Sequence, residues 1–240
     1  MSNLLVEIGN TALKAAWSEG STLGKTIRYQ GEKLHGFLLK TLIGEEHPKV
    51  IVLSSVRDLP EEDIREIESR CDRLVLLDSA HTSILRAYSL PEYLSPDRAA
   101  SIIAARKLFK DKKFILFDIG TTLSADFIDA DGSYLGGNIS LGCRTRFKAL
   151  NRYARALPLV NTPKEKPESP GRSLAASIEA GVIGGIMFEI DGYMASAPGS
   201  IAVFTGGDAE YFAAQTAKSV FVVPNMVLMG LSEISLDYDN

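Results

Sequence analysis

The sequence predicts an α/β protein built as two related lobes, each with a mixed sheet, closing on a cleft. Two stretches and one pattern carry that expectation. Residues Leu4-Leu5-Val6-Glu7-Ile8-Gly9-Asn10-Thr11-Ala12-Leu13-Lys14 run apolar, end on one carboxylate, turn through Gly-Asn-Thr and run apolar again. The same grammar returns half a chain later in Phe114-Ile115-Leu116-Phe117-Asp118-Ile119-Gly120-Thr121-Thr122-Leu123. A hairpin needs no acid at its base, yet both copies place one at the carboxyl end of a strand, where α/β sheets bind ligands. Strand and helix signals alternate after each hairpin, so one design is expected twice, over residues 1–112 and 113–240.

In the first lobe, strands are expected at 4–8 and 12–17, joined by the Gly9-Asn10-Thr11 turn. A helix follows over 32–43, then a short buried strand at Val50-Ile51-Val52-Leu53. Leu59-Pro60-Glu61-Glu62-Asp63 opens a second helix, its acids in the first turn where the dipole favours them. Leu74-Val75-Leu76-Leu77 is the next strand, and irregular chain runs on to 94. Ser95-Pro96-Asp97-Arg98 starts a helix to 109: Ser95 suits its cap, and Pro96 its first position, where no backbone donor is missed. Lys110-Asp111-Lys112-Lys113 is a charged hinge between the lobes.

In the second lobe, strands are expected at 114–118, 122–129 and 133–139, with Asp129-Ala130-Asp131-Gly132 turning between the last two. A helix at 143–156 precedes a surface loop at 161–171, where Pro163, Pro167 and Pro170 sit among charged side chains. The long helix at 172–196 carries Gly181, Gly184 and Gly185, which makes sense only where something packs close. Ile201-Ala202-Val203-Phe204 is a strand leading through Thr205-Gly206-Gly207-Asp208 into a helix at 209–217.

Composition narrows the function. A chain of 240 residues with 45% hydrophobic content can bury one large core or two modest ones. A net charge of -4 and a pI near 5.5 speak against a nucleic-acid partner. Cys71 and Cys143 stand far apart without metal-ligand spacing, which fits a reducing cytoplasm. Met1-Ser2-Asn3-Leu4 lacks the pattern of a signal peptide, and no run approaches the ~18 apolar residues of a membrane span. A soluble cytoplasmic protein is expected.

Glu7 through Lys14 have the chemistry of a triphosphate cradle. Gly9 permits close backbone approach, Asn10 and Thr11 offer donors, Glu7 suits a hydrated magnesium ion, and Lys14 meets phosphate as a point charge. Alone, the stretch is an ordinary hairpin turn; its echo at Asp118 favours function. Gly206-Gly207 would let an adenine ring or phosphate lie against backbone at a helix start, or would form a plain β–α turn capped by Asp208. Asp97-Arg98 reads equally as general base with anion clamp, or as a first-turn acid beside a solvated arginine. His35, His47 and His81 have no partner pattern, and Tyr88 alone reads as a packed ring.

Further pieces are Tyr88 ahead of Asp97-Arg98, Tyr134-Leu135-Gly136-Gly137-Asn138-Ile139-Ser140, Arg146-Phe147-Lys148-Ala149-Leu150 before Leu157-Pro158, and Ile178-Glu179-Ala180-Gly181. In this order, with the two acid turns, they resemble the actin and sugar-kinase superfamily of ATPases, with a ribonuclease-H-like design. In detail the chain resembles the type III pantothenate kinase family, which phosphorylates pantothenate in the first step of coenzyme A synthesis. The resemblance spans nearly the whole chain. It implies Asp97 as the general base, and Tyr88, Ser95, Pro96, Arg98 and Leu174 at the pantothenate. It implies ATP, with magnesium, on Glu7, Ile8, Gly9, Asn10, Thr11, Ala12, Leu13, Lys14, Thr121, Gly206 and Gly207. It also implies a potassium or ammonium ion on Asp118, and a homodimer.

The chain departs from the family pattern at several points. Glu7 replaces an aspartate, and an extra methylene moves the carboxylate by over ~1 Å, a displacement that can cost ~100-fold in rate. Ser95-Pro96 replaces Gly-x, removing a backbone donor, and Leu141 replaces a proline. Leu174 takes the place of a threonine, at a cost of roughly 0.5–1.5 kcal/mol for the lost hydrogen bond. Three readings follow: an ATP-dependent pantothenate kinase; a divergent nucleotide-binding homologue with weak or no turnover, acting as a regulatory or interaction protein; or a kinase for a different small alcohol.

Overall fold

The computed structural model describes residues 2–31, 33–44 and 46–238. It divides into two compact units, Met1–Leu108 with Asn225–Asn240, and Phe109–Pro224. The charged hinge lies just past the first division. The chain from 225 onward, expected in the second lobe, instead completes the first unit.

The first unit is built on β1 (Asn3–Ile8), whose six residues are all buried. A strand covered on both faces reads as a continuous apolar run, which is why Leu4, Leu5 and Val6 stand together. β2 (Leu13–Glu19) pairs antiparallel with β1, and β5 (Val50–Ser55) pairs parallel on its other side. β3 (Thr22–Leu23) and β4 (Ile27–Tyr29) join β2, and β6 (Arg73–Leu77) joins β5. The sheet order is β3-β2-β1-β5-β6, with β4 also on β2.

Leu4, Val6 and Ile8 pack with Leu38, Leu39, Leu42, Ile43 and Ile67. Two of the elements supplying them differ from expectation. The single helix expected at 32–43 is α1 (Leu34–Phe37) running into a π-helical turn at Leu38–Ile43, and residue 32 lies outside the described residues. The wider turn puts Leu38, Leu39, Leu42 and Ile43 all inward. α2 (Glu61–Glu68) brings Ile67. α3 (Ser83–Ala87) forms within chain expected to be irregular.

α4 (Pro96–Leu108) packs against α8 (Met226–Leu236), and α8 also lies on β1 and β5. The two helices approach closely at Gly230: a Cβ there would fall 1.9 Å from the Ala100 carbonyl oxygen.

The second unit repeats the plan. β7 (Phe114–Ile119) and β8 (Thr122–Ile128) form the hairpin, and β9 (Tyr134–Leu141) continues the antiparallel meander. β10 (Ile201–Thr205) pairs parallel with β7, and β11 (Phe221–Val222) parallel with β10. The order β11-β10-β7-β8-β9 thus repeats the first unit's pattern of one antiparallel and one parallel neighbour around a central strand. Ile115, Phe117 and Ile119 pack with Phe147 of α5 (Cys143–Tyr153) and with Ile178, Val182, Ile186 and Ile190 of α6 (Leu174–Ser196). α7 (Ala209–Ala213) ends earlier than expected. Cys71 and Cys143 are buried free thiols, and the Cys71 thiol is pushed up to about 11 by burial. Among the described residues, no helix is long and apolar enough to cross a membrane.

Candidate active site

Each acid turn sits at the same topological place in its unit. Glu7 is the penultimate residue of β1, in register with Lys14 on β2 and Ser54 on β5. Asp118 is the penultimate residue of β7, in register with Ser124 on β8 and Thr205 on β10. Registered side chains share a sheet face, so each acid has one neighbour from either side.

In the first unit, Lys14 Nζ donates to Glu7 Oε2 at 3.2 Å. Burial pushes the Glu7 carboxyl above the usual carboxylate range, and Asp97 pushes the same way; Lys14 and Arg28 oppose them. Lys14, Arg28 and Asp97 therefore all act on Glu7. The turn itself is held by the Gly9 amide donating to the Ala12 carbonyl at 3.0 Å. A Cβ on Gly9 would meet Ala12 O at 3.4 Å and Glu7 Oε1 at 3.6 Å, ordinary contacts, so the fold alone does not demand glycine there.

Asp97 lies in the first turn of α4, and its Oδ1 accepts from the Arg98 amide at 2.9 Å. Arg98 and Pro96 are buried and Ser95 is half-buried. Tyr88 follows α3. Its hydroxyl donates to Asp237 Oδ2 at 2.7 Å, and Arg106 donates to its carbonyl at 2.7 Å. Burial, then Asp237, raises the phenol's pKa. Tyr88 is thus engaged with the chain beyond α8 rather than with Asp97.

In the second unit, three segments meet. Gly206 has φ +94°, and a Cβ there would fall 2.5 Å from both Asp118 Oδ1 and Ile119 O, so only glycine fits. The Asp208 amide donates to the Ile119 carbonyl at 2.9 Å. The Thr121 carbonyl accepts from the Gly142 amide at 3.0 Å and from Thr145 Oγ1 at 2.7 Å. The Asp118–Thr122 turn, the Gly206-Gly207 turn and the start of α5 are brought together. Leu174 opens α6 behind its Ser173 cap and is exposed.

Sequence reasoning had Asp208 as a helix cap and missed the pairing of Arg146 with Glu189. Asp208 makes no side-chain cap bond; burial raises its carboxyl's pKa, and Arg144 opposes that. Arg146 donates to the Leu141 carbonyl at 2.7 Å and to Ser140 Oγ at 3.1 Å, and pairs with Glu189. Arg146 lay inside a quoted motif, but Glu189 had no signal: it is one acid on a long helix. The three histidines pair with carboxylates, His35 with Glu66 at 2.8 Å, His47 with Asp72 at 2.9 Å and His81 with Asp78 at 2.8 Å.

The model of the type III pantothenate kinase family matches residues 3–196. The chain belongs to the type III pantothenate kinase family. A type III pantothenate kinase of Porphyromonas gingivalis is 33% identical over 99% of this chain and 98% of its own length. One of Bacteroides fragilis is 32% identical with the same coverage. Among solved structures, a conserved Baf family protein from Campylobacter jejuni shares the fold at TM-score 0.67 and 20% identity, covering 98% of each chain. The ROK hexokinase of Thermus thermophilus does so at TM-score 0.54 and 14% identity over 100% of both chains. The fold is that of the sugar-kinase and actin-like ATPases.

A type III pantothenate kinase needs places for cations, and the donors here meet a modest demand. Among the described residues, no three or more His, Cys, Asp and Glu gather as a metal cage. Magnesium carried on phosphate needs only one or two protein carboxylates and keeps several waters, which suits Glu7. In register with Asp118, Ser124 Oγ is buried with no hydrogen-bond partner among the described residues.

Proposed function

We propose that this chain is an active pantothenate kinase, transferring the γ-phosphoryl group of ATP to the pantothenate hydroxyl as the first step of coenzyme A synthesis. The reading rests chiefly on Asp97, a carboxylate at a helix start within electrostatic reach of Glu7, in a chain aligned end to end with pantothenate kinases. Asp97 takes the hydroxyl proton while that oxygen attacks the γ-phosphorus; the bond to the bridging oxygen breaks in line, and ADP leaves. The Arg98 amide holds the Asp97 carboxylate in one orientation.

Glu7 through Lys14 take the phosphates, with Thr121, Gly206 and Gly207 on the nucleotide. Tyr88, Ser95, Pro96, Arg98 and Leu174 serve the pantothenate. Magnesium, held through water at Glu7, and potassium or ammonium at Asp118 and Ser124 would offset charge developing on the phosphoryl oxygens. Glu7, one methylene longer than the aspartate of the family pattern, is paired with Lys14. The family's coenzyme A chemistry and two free buried thiols fit a cytoplasmic enzyme.

A homodimer is part of the same reading. Among the described residues nothing meets a Cβ placed on Gly181, Gly184 or Gly192, and Phe188 on the same helix is 78% exposed. The edge strand β9 also leaves Leu135 and Ile139 each 59% exposed. Apolar area of that kind is what a second copy would cover.

Purified protein with ATP and pantothenate should turn over, faster with potassium than without. Asp97→Asn should lower kcat by about 10²–10⁴-fold with ATP affinity unchanged. Wild-type protein that binds ATP in calorimetry yet yields no phosphopantothenate would sink the reading in favour of a nucleotide-binding regulator.

A further inference from the structure

We propose that Arg57, at the end of β5, is a further cation of the phosphate turn. Resting on the ATP reading above, it adds one residue to that site. The backbone of Arg57 is pinned. Val56 donates its amide to the Ile8 carbonyl at 3.1 Å, and Ser55 Oγ both donates to the Arg57 carbonyl at 2.7 Å and accepts its amide at 3.1 Å. From this anchor the guanidinium crosses to the hairpin tip and donates through Nη2 to the Asn10 carbonyl.

Two consequences follow for an anion. The Asn10 carbonyl is an acceptor dipole within the turn that is to receive phosphate, and Arg57 neutralises it. Charge balance points the same way. Lys14 and Arg28 offset the Glu7 carboxylate, and Lys14 is already paired with it. The bound cations named above would offset part of an entering tetra-anion's charge, and an arginine on the turn would add to them. Arg57 is exposed, and a guanidinium giving one N–H to a carbonyl keeps further donors in the planar fork that suits phosphate oxygens.

The test compares wild type with Arg57→Gln and Arg57→Lys, titrating ATP, ADP and AMP by calorimetry and measuring KM for both substrates. Arg57→Gln should weaken ATP and ADP about tenfold, leave AMP within twofold and raise KM for ATP but not for pantothenate. Arg57→Lys should recover part of the loss, because it returns the charge without the fork. The thermal midpoint should stay within a few degrees of wild type. If Arg57→Gln binds ATP as wild type does, or loses AMP as strongly as ATP, the proposal falls while the kinase reading stands. If wild type itself binds no ATP, the kinase reading falls and takes this one with it.

Discussion

Glu7 is a carboxylate held where its charge is costly, and that has a pH signature. Its folded pKa lies above the ordinary 4.5, so the folded protein binds the proton more tightly than the unfolded chain. Its contribution to stability is therefore full below that ordinary value and is lost as pH rises through the raised one. Thermal midpoints of wild type and Glu7→Gln, followed from acid to neutral pH, should diverge, wild type losing ground as pH rises. Parallel curves would show that burial does not tax this group. Gly206 gives a steric counterpart. With φ +94° and Asp118 Oδ1 2.5 Å from any Cβ, Gly206→Ala should destabilise by about 2 kcal/mol, read from denaturant midpoints. The acids were legible at this scale because a charge at the end of an apolar strand is rare without a use. Arg57 was not, because it acts through a contact that only the fold creates, to a carbonyl 47 residues away.

Elements divide along the same line. The hairpins of β1–β2 and β7–β8 were legible from period and turn chemistry, and α4 from Pro96 at its start. The sequence reading stops at 217 and has no element for α8. That helix buries Met226, Val227, Leu228, Leu231 and Ile234, and even Ser232 and Ser235, so it carries no polar stripe from which a helical period could be read. The π-helical turn at Leu38–Ile43 was hidden for a related reason: an apolar cluster of that length looks the same in either helix type. Packing of α8 on α4 sets the position of Asp97. A methyl group at residue 230 would strike the Ala100 backbone. Gly230→Ala should therefore lower kcat together with stability, whereas Phe147→Ala, which opens a cavity in the other unit, should cost about 3–5 kcal/mol in stability. Circular dichroism melts alongside the kinase assay check both.

At the scale of the molecule, two units of one strand order carry one acid turn each, and the repeat made the fold readable before any single motif did. What the repeat did not foretell is which apolar surface would face a second copy in the proposed dimer, because a glycine-bearing helix reads the same whether its partner lies within the chain or outside it. The helix glycines at 181 and 184 were expected to sit under close packing, yet the described residues offer them none. Light scattering should give a dimer for wild type and a monomer for Phe188→Asp combined with Ile139→Asp; a monomeric wild type would remove the dimer from the reading. The placement of α8 also orders events during synthesis. The second unit is whole once residue 224 has emerged, but the first lacks the helix that covers β1 and β5 until translation passes Leu236. At about 5–20 residues per second, the earlier half waits roughly ten seconds with an apolar sheet face open. Nascent chains stalled before residue 225 should therefore be held by chaperones, although their first hundred residues are already made.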